Sequence, residues 1–268
     1  YRKSLVGERT RELNRLQKML EGANIKLSGT VTNINGKSAR KILEYILSGN
    51  EIDEKKYDEM YEEKLIAHNL KASKEQILDD LKGFMSPLQR RMLKELLQHL
   101  DELNVHIENL NDEIDNFMKP EEKQASQVIQ DVTGIGNTSA QTIIAVIGTD
   151  MERFPSDRHI SSWAGLCPGD NVSAKKRKSG KIRKGNALLK STLVLCAHAA
   201  VRHKSSYFHA QFKRISTHRG KKRAYVAVAH SILIAIYHIL KDGVKYQDLG
   251  AEYYNQFNAE RKIHAYLK

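Results

Sequence analysis

Apolar residues recur with a helical period along most of the chain, so the pattern predicts an all-α fold. The most regular stretch follows Pro87, where apolar side chains are spaced alternately three and four residues apart. Its members are Leu93, Leu96, Leu100, Leu103, Ile107, Leu110, Ile114 and Phe117. A seam that repeats about every 3.5 residues is narrow and has to be buried against another helix. We therefore expect a long coiled-coil helix that packs either on a second copy, which makes a homo-oligomer, or on an earlier helix of its own chain.

Short polar motifs indicate where several helices begin. Segments 73–76 and 86–89 both have the form of a capping box, and Pro87 occupies the first helical position of the second one. Pro120 then closes the long helix, and the character of the sequence changes after it. These signals predict a helical linker over 1–85, a coiled-coil helix over 86–119 and a separate module over 120–268.

Charge also separates the two halves of the chain. The net charge is +12, yet residues 1–119 are nearly neutral, with 20 basic and 21 acidic side chains. Residues 153–223 contain 18 basic side chains and only 2 acidic ones. Because 40% of all residues are hydrophobic, a disordered basic chain does not explain this excess. We expect the second half to bind a polyanion such as DNA.

A glycine-containing turn in the second half has the pattern of a helix–hairpin–helix. Gly134, Ile135 and Gly136 follow the apolar stretch 128–132, and Asn137 opens the next helix. The glycines allow a tight turn, Ile135 anchors it in the core, and the free N–H groups of the second helix face an anion. The pattern predicts either a hairpin that binds phosphates without reading bases or an ordinary turn between two helices.

Seven basic residues lie between positions 175 and 184. They are Lys175, Lys176, Arg177, Lys178, Lys181, Arg183 and Lys184. Gly180 and Gly185 exclude a regular helix here, so we expect a loop or a short β-turn structure that clamps a sugar–phosphate backbone. A hydroxyl held among these cations, from Ser173 or Ser179, can attack a phosphodiester while they stabilise the developing charge. Solvated serines of an ordinary loop are the alternative.

Other features exclude several classes of site. Cys167 and Cys196 are far apart and lack a paired His or a Cys-x-x-Cys motif, so neither a disulfide framework nor a zinc site is expected. No apolar run approaches the roughly 20 residues that cross a bilayer, and no leader opens the chain, which predicts a soluble cytoplasmic protein without a membrane partner. Because Tyr1 already stands in a predicted helix, we expect a fragment of a longer protein.

An ordered set of short motifs resembles a known family. It comprises Gly134-Ile135-Gly136, Arg153-Phe154, Trp163-Ala164-Gly165-Leu166-x-Pro168, Ser173-Ala174 with the basic run behind it, and Lys184-Gly185-Asn186-x-Leu188-Leu189. Weaker similarities extend over 20–28, 40–43 and 219–227, so essentially the whole chain is covered. Together the motifs resemble the C-terminal module of the DEDD-type, Piv-like insertion-sequence transposases of family one-ten.

The resemblance implies DNA transposition by a recombinase with a nucleophilic serine, guided by a structured bridge RNA. It assigns the serine to Ser173, although Lys175 stands where the family has a glycine, and Ser179 is the fallback. The family's RuvC-like domain binds magnesium through four acidic residues, and no matching carboxylates occur here. We therefore expect no cofactor in this fragment, magnesium in the full-length protein, and nucleic-acid binding without cleavage by the fragment alone. The competing interpretation is a non-catalytic helix–hairpin–helix module.

Overall fold

The protein, described here by a computed structural model, divides into two compact units, Tyr1–Asn116 and Phe117–Lys268. The structure describes residues 1–31, 33–50, 52–66, 72–168, 171–173, 176–179 and 182–254, with backbone only for 171–173 and 176–179. Twelve α-helices account for most of these described residues. The expectation of an all-α fold is confirmed, with one short β-hairpin in the basic segment where a loop or β-turn structure was predicted.

The first unit is built from six helices that begin where local chemistry favours them. They are α1 (Arg2–Gly22), α2 (Leu27–Thr30), α3 (Lys37–Leu47), α4 (Glu54–Glu62), α5 (Lys74–Asp80) and α6 (Pro87–Phe117). Both predicted capping boxes are present. Ser73 Oγ accepts a hydrogen bond from the Gln76 N–H at 3.3 Å, and Ser86 Oγ accepts one from the Gln89 N–H at 3.3 Å. Each box satisfies N–H groups that the first helical turn leaves unpaired.

The long helix α6 packs along α1 in the antiparallel direction. Leu5, near the start of α1, lies in one apolar cluster with Leu103 and Ile107, near the end of α6. Leu16 and Leu20, near the end of α1, lie in a second cluster with Leu93, Leu97 and Leu100 near the start of α6. Polar contacts keep the same order, since the Arg2 guanidinium donates to Asn111 Oδ1 at 3.0 Å and that of Arg9 donates to Asn104 Oδ1 at 3.1 Å.

These contacts decide which partner buries the core of the heptad seam. Leu100 is 0% and Ile107 is 7% exposed, and both are covered by helices of their own chain. The second of the two predicted arrangements therefore holds for this part of α6. Leu96 and Ile114 remain half-exposed and Phe117 is 92% exposed, so the seam is not covered along its full length. Self-association through the remaining members of the seam stays a prediction.

The second unit contains a helical core and the β-hairpin. Its elements are α7 (Pro120–Ile129), α8 (Asn137–Ile147), a 3-10 helix (Met151–Arg153), α9 (Asp157–Trp163), β1 (Asn171–Ser173), β2 (Lys176–Ser179), α10 (Ala187–Val201), α11 (Tyr207–Arg219) and α12 (Lys221–Asp242). Helix α12 is central, since it packs against α7, α9, α10 and α11. Its inward side chains, among them Val228, Ile232 and Ile236, are completely buried.

The length and composition of α12 correct one sequence-based expectation. This helix of 22 residues is long and apolar enough to cross a membrane, so the expectation that no apolar run approaches that length was wrong. Its apolar run begins at Ala224, directly after Lys221, Lys222 and Arg223, and continues to Leu240. The same run forms the centre of the second unit's core, and core helices meet the same criterion as membrane spans.

Candidate nucleic-acid interface

The turn between α7 and α8 is held against α10 at close range. Gly134 has a φ of +95°, and a Cβ built on it would lie 2.5 Å from the Cys196 carbonyl oxygen and 2.6 Å from the Ala200 nitrogen. A side chain is therefore excluded at this position by both backbone conformation and space. Ile135 is 7% exposed, and its N–H donates to the Val132 carbonyl at 3.1 Å. Gly134 and Ile135 thus lock the turn onto the core.

The other two predicted residues of the turn face solvent. Gly136 is exposed, and a Cβ on it would meet no atom within 4 Å. It is the N-cap of α8 and provides no side-chain cap, and Asn137 is the exposed first residue of that helix. The start of an 11-residue helix is consequently open on its solvent side, where the partial positive charge of the helix end favours an anion.

A carboxylate of the segment after α12 also contacts this turn. The Thr133 hydroxyl donates to Asp248 Oδ2 at 3.3 Å, and the Tyr207 N–H at the start of α11 donates to Asp248 Oδ1 at 2.8 Å. The Tyr246 hydroxyl donates to Asp248 Oδ2 at 3.2 Å. Burial, together with the Asp248 charge, raises the pKa of Tyr246, so the phenol remains a donor over the physiological range. Asp248 therefore ties the turn to α11.

Two glycines join the ends of the basic segment. Gly165 follows α9 with a φ of +71°, and Gly185 precedes α10. A Cβ on Gly165 would lie 2.8 Å from the Arg183 carbonyl oxygen, and one on Gly185 would lie 2.5 Å from the Ala164 carbonyl oxygen. The two backbones are in direct contact, so the chain between Gly165 and Gly185 must leave the helical core and return to it at the same point. We call this contact the glycine clasp.

Beyond the glycine clasp the chain forms an antiparallel hairpin. An isolated bridge pairs Pro168 with Ile182, and further out Asn171 pairs with Ser179. Ser173 pairs with Lys176 at the far end of the ladder. The two candidate serines thus occupy opposite ends of the hairpin, Ser173 at the end distant from the glycine clasp and Ser179 at the end nearer to it.

The predicted basic residues are distributed over this hairpin and its base. Lys176, Arg177 and Lys178 belong to β2, and Arg177 pairs with Val172 of β1. Arg183 and Lys184 follow it and are exposed. The predicted residues Lys175 and Lys181 lie outside the described residues. The described cations therefore come from one strand and from the return to α10.

Helix α10 connects the hairpin base with the α7–α8 turn. The Lys190 ammonium in its first turn donates to the Arg183 carbonyl at 3.0 Å, and Asn186 caps the helix by accepting from the Leu189 N–H at 2.9 Å. One face further along carries Ala200, on which Gly134 rests. Ten residues of helix separate Lys190 from Ala200, which corresponds to about 15 Å. The two candidate phosphate contacts are therefore held at a defined spacing by one rigid element.

The cysteines in this unit are not arranged as ligands or as a disulfide. Both are free, and burial raises the pKa of each thiol. At Cys167 the Arg183 guanidinium opposes this effect, and the Arg183 N–H donates to the Cys167 carbonyl at 3.5 Å. Among the residues that the structure describes, no group of three or more His, Cys, Asp or Glu side chains is arranged to hold a metal. A magnesium donor set is thus not found within the described part of this chain.

Most residues that form this candidate interface lie in a segment that matches one protein-family model. Residues 126–213 match the model described as Transposase IS116/IS110/IS902 family. This segment is similar to a transposase domain. It extends from the end of α7 to the middle of α11, and therefore includes the α7–α8 turn, the glycine clasp and the hairpin.

Two curated relatives extend the similarity. The chain is 32% identical over 108 residues to the transposase for insertion sequence element IS1111A of Coxiella burnetii, which covers 39% of this chain and 29% of that protein. It is 28% identical over 135 residues to an uncharacterized 43.6 kDa protein of insertion element IS110 from Streptomyces coelicolor, covering 47% of this chain and 31% of that one. The matched region thus spans about a third of either relative's length.

Several residues that organise the interface were not singled out from the sequence as parts of a site. The glycine clasp was visible only as Gly165 and Gly185 within two separate motifs, because their contact joins positions 20 apart. Lys190 was hidden in an otherwise apolar helix. Asp248, which is distant in sequence from the turn it contacts, carried no local signal.

Proposed function

We propose that this chain is the nucleic-acid-binding and serine-bearing part of a DNA transposase. The observation that carries the proposal is the basic hairpin, which leaves the core at the glycine clasp inside the segment that matches the transposase model. A clasped base restricts how the hairpin can be directed, so the cations and the serine would be presented as a unit. The fragment is proposed to act within a longer protein in the bacterial cytoplasm.

Binding is proposed to use phosphates rather than base edges. The exposed start of α8 at Gly136 and Asn137 supplies helix N–H groups, and the exposed Arg183 and Lys184 supply charge. Contacts of this type position a nucleic acid without reading its sequence. We propose that sequence choice comes instead from a structured guide RNA that pairs with the DNA. Affinity should then fall steeply with salt, because each neutralised phosphate releases a counterion.

For strand cleavage, Ser173 is proposed as the nucleophile. Its Oγ would lose its proton and attack a backbone phosphorus, forming an Oγ–P bond while one bridging P–O bond breaks and the departing oxygen takes up a proton. Cations of the hairpin would stabilise the negative charge that develops on the phosphoryl oxygens. The phosphoserine ester keeps the energy of the broken bond, so a second hydroxyl can reverse the reaction on another strand. In the full-length protein, magnesium held by the acidic domain would add charge stabilisation.

The test is Ser173→Ala in the full-length protein, with Ser179→Ala as the matched control at the other end of the hairpin. Strand exchange should fall by at least about 1,000-fold for Ser173→Ala, because the group that forms the covalent bond is removed. Covalent protein–DNA adducts, detected on denaturing gels, should disappear, while DNA affinity changes less than about twofold. Ser179→Ala should retain both exchange and adduct.

Other outcomes would assign the nucleophile or the function differently. Undiminished exchange by Ser173→Ala together with loss in Ser179→Ala assigns the nucleophile to Ser179. Full exchange by both variants leaves the rival function, a non-catalytic helix–hairpin–helix module that only binds nucleic acid. Adduct formation by the present fragment alone would contradict the expectation that it needs the acidic domain.

A further inference from the structure

A second cluster of cations lies where α11 meets α12. Gly220, with a φ of +80°, is the single residue between the two helices. Arg219 ends α11, and Lys221, Lys222 and Arg223 begin α12, and all four side chains are exposed. Within the part of the chain that the structure describes, none of the four forms a salt bridge. We call these four residues the cationic corner.

The cationic corner is electrostatically unfavourable in the protein by itself. Three of its members occupy the first turn of α12, which contains no acidic residue. The start of a helix carries partial positive charge, so each cation placed there is unfavourable. Four like charges within five residues also repel one another. Phosphate groups would remove both penalties, since they pair with the cations and are favoured at a helix start.

Packed aromatic rings join the helices that carry these cations to α10. Tyr225, one turn after Lys221, stacks on His198 of α10 with 3.6 Å between ring centroids, and its ring lies tilted against that of Phe212 of α11 at a centroid distance of 4.5 Å. Ala224 beside it is completely buried. Three helices are therefore joined directly under the cationic corner. Because these helices are held together, the cations need little ordering when a rigid polyanion binds, which lowers the entropic cost of association.

Helix α10 relates the cationic corner to the hairpin. Its start carries Lys190, which contacts the hairpin base at Arg183, and its later turns carry His198 under the cationic corner. Eight residues of helix separate Lys190 from His198, or about 12 Å. One turn of a nucleic-acid duplex is about 34 Å long. A single duplex turn is therefore long enough to contact both ends of α10.

We propose that the cationic corner is a second binding surface for the sugar–phosphate backbone of a duplex, separate from the basic hairpin and from the α7–α8 turn. This inference rests on the proposed function, because it assumes that the chain binds nucleic acid. The cationic corner contributes charge and no base-reading group, so it takes DNA and RNA duplexes through their shared phosphates. Its role is to hold the duplex while the hairpin is engaged.

The experiment measures duplex binding by the whole chain over a range of NaCl concentrations. A random-sequence 30-base-pair DNA and an RNA duplex of the same length are the two probes. The variant is Lys221→Gln/Lys222→Gln, and the matched control is Lys123→Gln/Lys245→Gln, which removes two exposed cations of the same unit that have no salt bridge among the described residues. Arg183→Gln/Lys184→Gln serves as the reference for the hairpin.

Loss of two phosphate contacts should reduce the slope of log affinity against log salt by about two and weaken binding at 100 mM NaCl by about 10-fold. Thermal stability of Lys221→Gln/Lys222→Gln should be equal to or higher than that of the parent, because the repulsion at the start of α12 is relieved. The control should change affinity less than about twofold. A reduced slope with only one probe supports the surface and identifies which duplex it holds.

Two results would overturn the inference, and they differ in what they imply. If the parent binds and the Arg183→Gln/Lys184→Gln reference is weakened while Lys221→Gln/Lys222→Gln keeps the parental slope with both probes, the cationic corner is not a binding surface and the proposed function stands. If the parent chain binds neither duplex at low salt, both the proposed function and this inference fail.

Discussion

Among the described residues of Tyr1–Asn116, several Lys and Arg side chains form salt bridges with Asp or Glu, whereas among those of Phe117–Lys268 no Lys or Arg does so. The described pairs of the first unit include Arg15–Glu12, Arg40–Asp101, Lys41–Glu44, Lys56–Glu59, Lys74–Asp58 and Lys82–Asp79. The described pair of the second unit is His238–Asp242. Both units are rich in cations, so the difference lies in whether carboxylates accompany them.

This contrast separates two uses of the same residue types. In the first unit, pairs such as Lys41–Glu44 are three residues apart on exposed helix faces and leave little net field. In the second unit, Arg183, Lys184 and the cationic corner have exposed charges without carboxylate partners, so their field extends into solvent. The number of lysines and arginines therefore does not locate a polyanion site by itself, and a cluster of exposed cations without carboxylate partners is the better indicator.

The largest expected effect comes from damaging the core of the first unit alone. Leu100→Ala removes a completely buried side chain between α1 and α6 and should lower the free energy of unfolding by about 2–5 kcal/mol. Thermal denaturation measures the loss. Duplex affinity, measured below the transition, should stay within about twofold, because the cations proposed to contact phosphates lie in the other unit.

The half-exposed Leu96 on the same helix is the control for this substitution. Leu96→Ala should cost less than about half as much, since less surface is removed from the core. Equal losses for the two variants, or a parental melting temperature that rises with protein concentration, would instead show that a second copy buries the seam.

A smaller effect compares paired and unpaired cations directly. Arg183→Gln/Lys184→Gln should weaken duplex binding by about 10-fold and reduce the salt slope by about two. Lys41→Gln/Lys82→Gln removes the same number of charges from pairs in the first unit and should leave both quantities unchanged. Binding titrations at several salt concentrations measure the difference. Similar losses for both double variants would remove the distinction between the units.

The smallest effect concerns acid sensitivity in the second unit. Burial lowers the pKa of His230, although the charge of Asp157 opposes this. Because the unfolded chain then takes up a proton first, stability should be constant at high pH and fall as the pH drops through the ordinary His value of about 6.5 towards the lowered one.

Replacing the titrating group tests this pH dependence. His230→Gln should flatten the melting temperature of the second unit between pH 7.5 and 5.5, while the exposed His218→Gln should keep the parental profile. An unchanged slope in His230→Gln would assign the acid sensitivity to another group.

Local chemistry in the sequence was sufficient to predict most helices and the positions of several caps. The capping boxes at Ser73 and Ser86 depend on neighbours within four residues, so no distant contact is needed to form them. The excess of cations over 153–223 was likewise visible from composition.

Only the tertiary structure decided which partners these elements take. The heptad pattern allowed either a second copy or the same chain, and packing against Leu16 and Leu20 assigned the start of the seam to the same chain. The glycine clasp and the contact between Thr133 and Asp248 join residues 20 and 115 positions apart. Sequence periodicity shows which face of a helix is apolar. Which other element packs against that face depends on the packing of the whole chain.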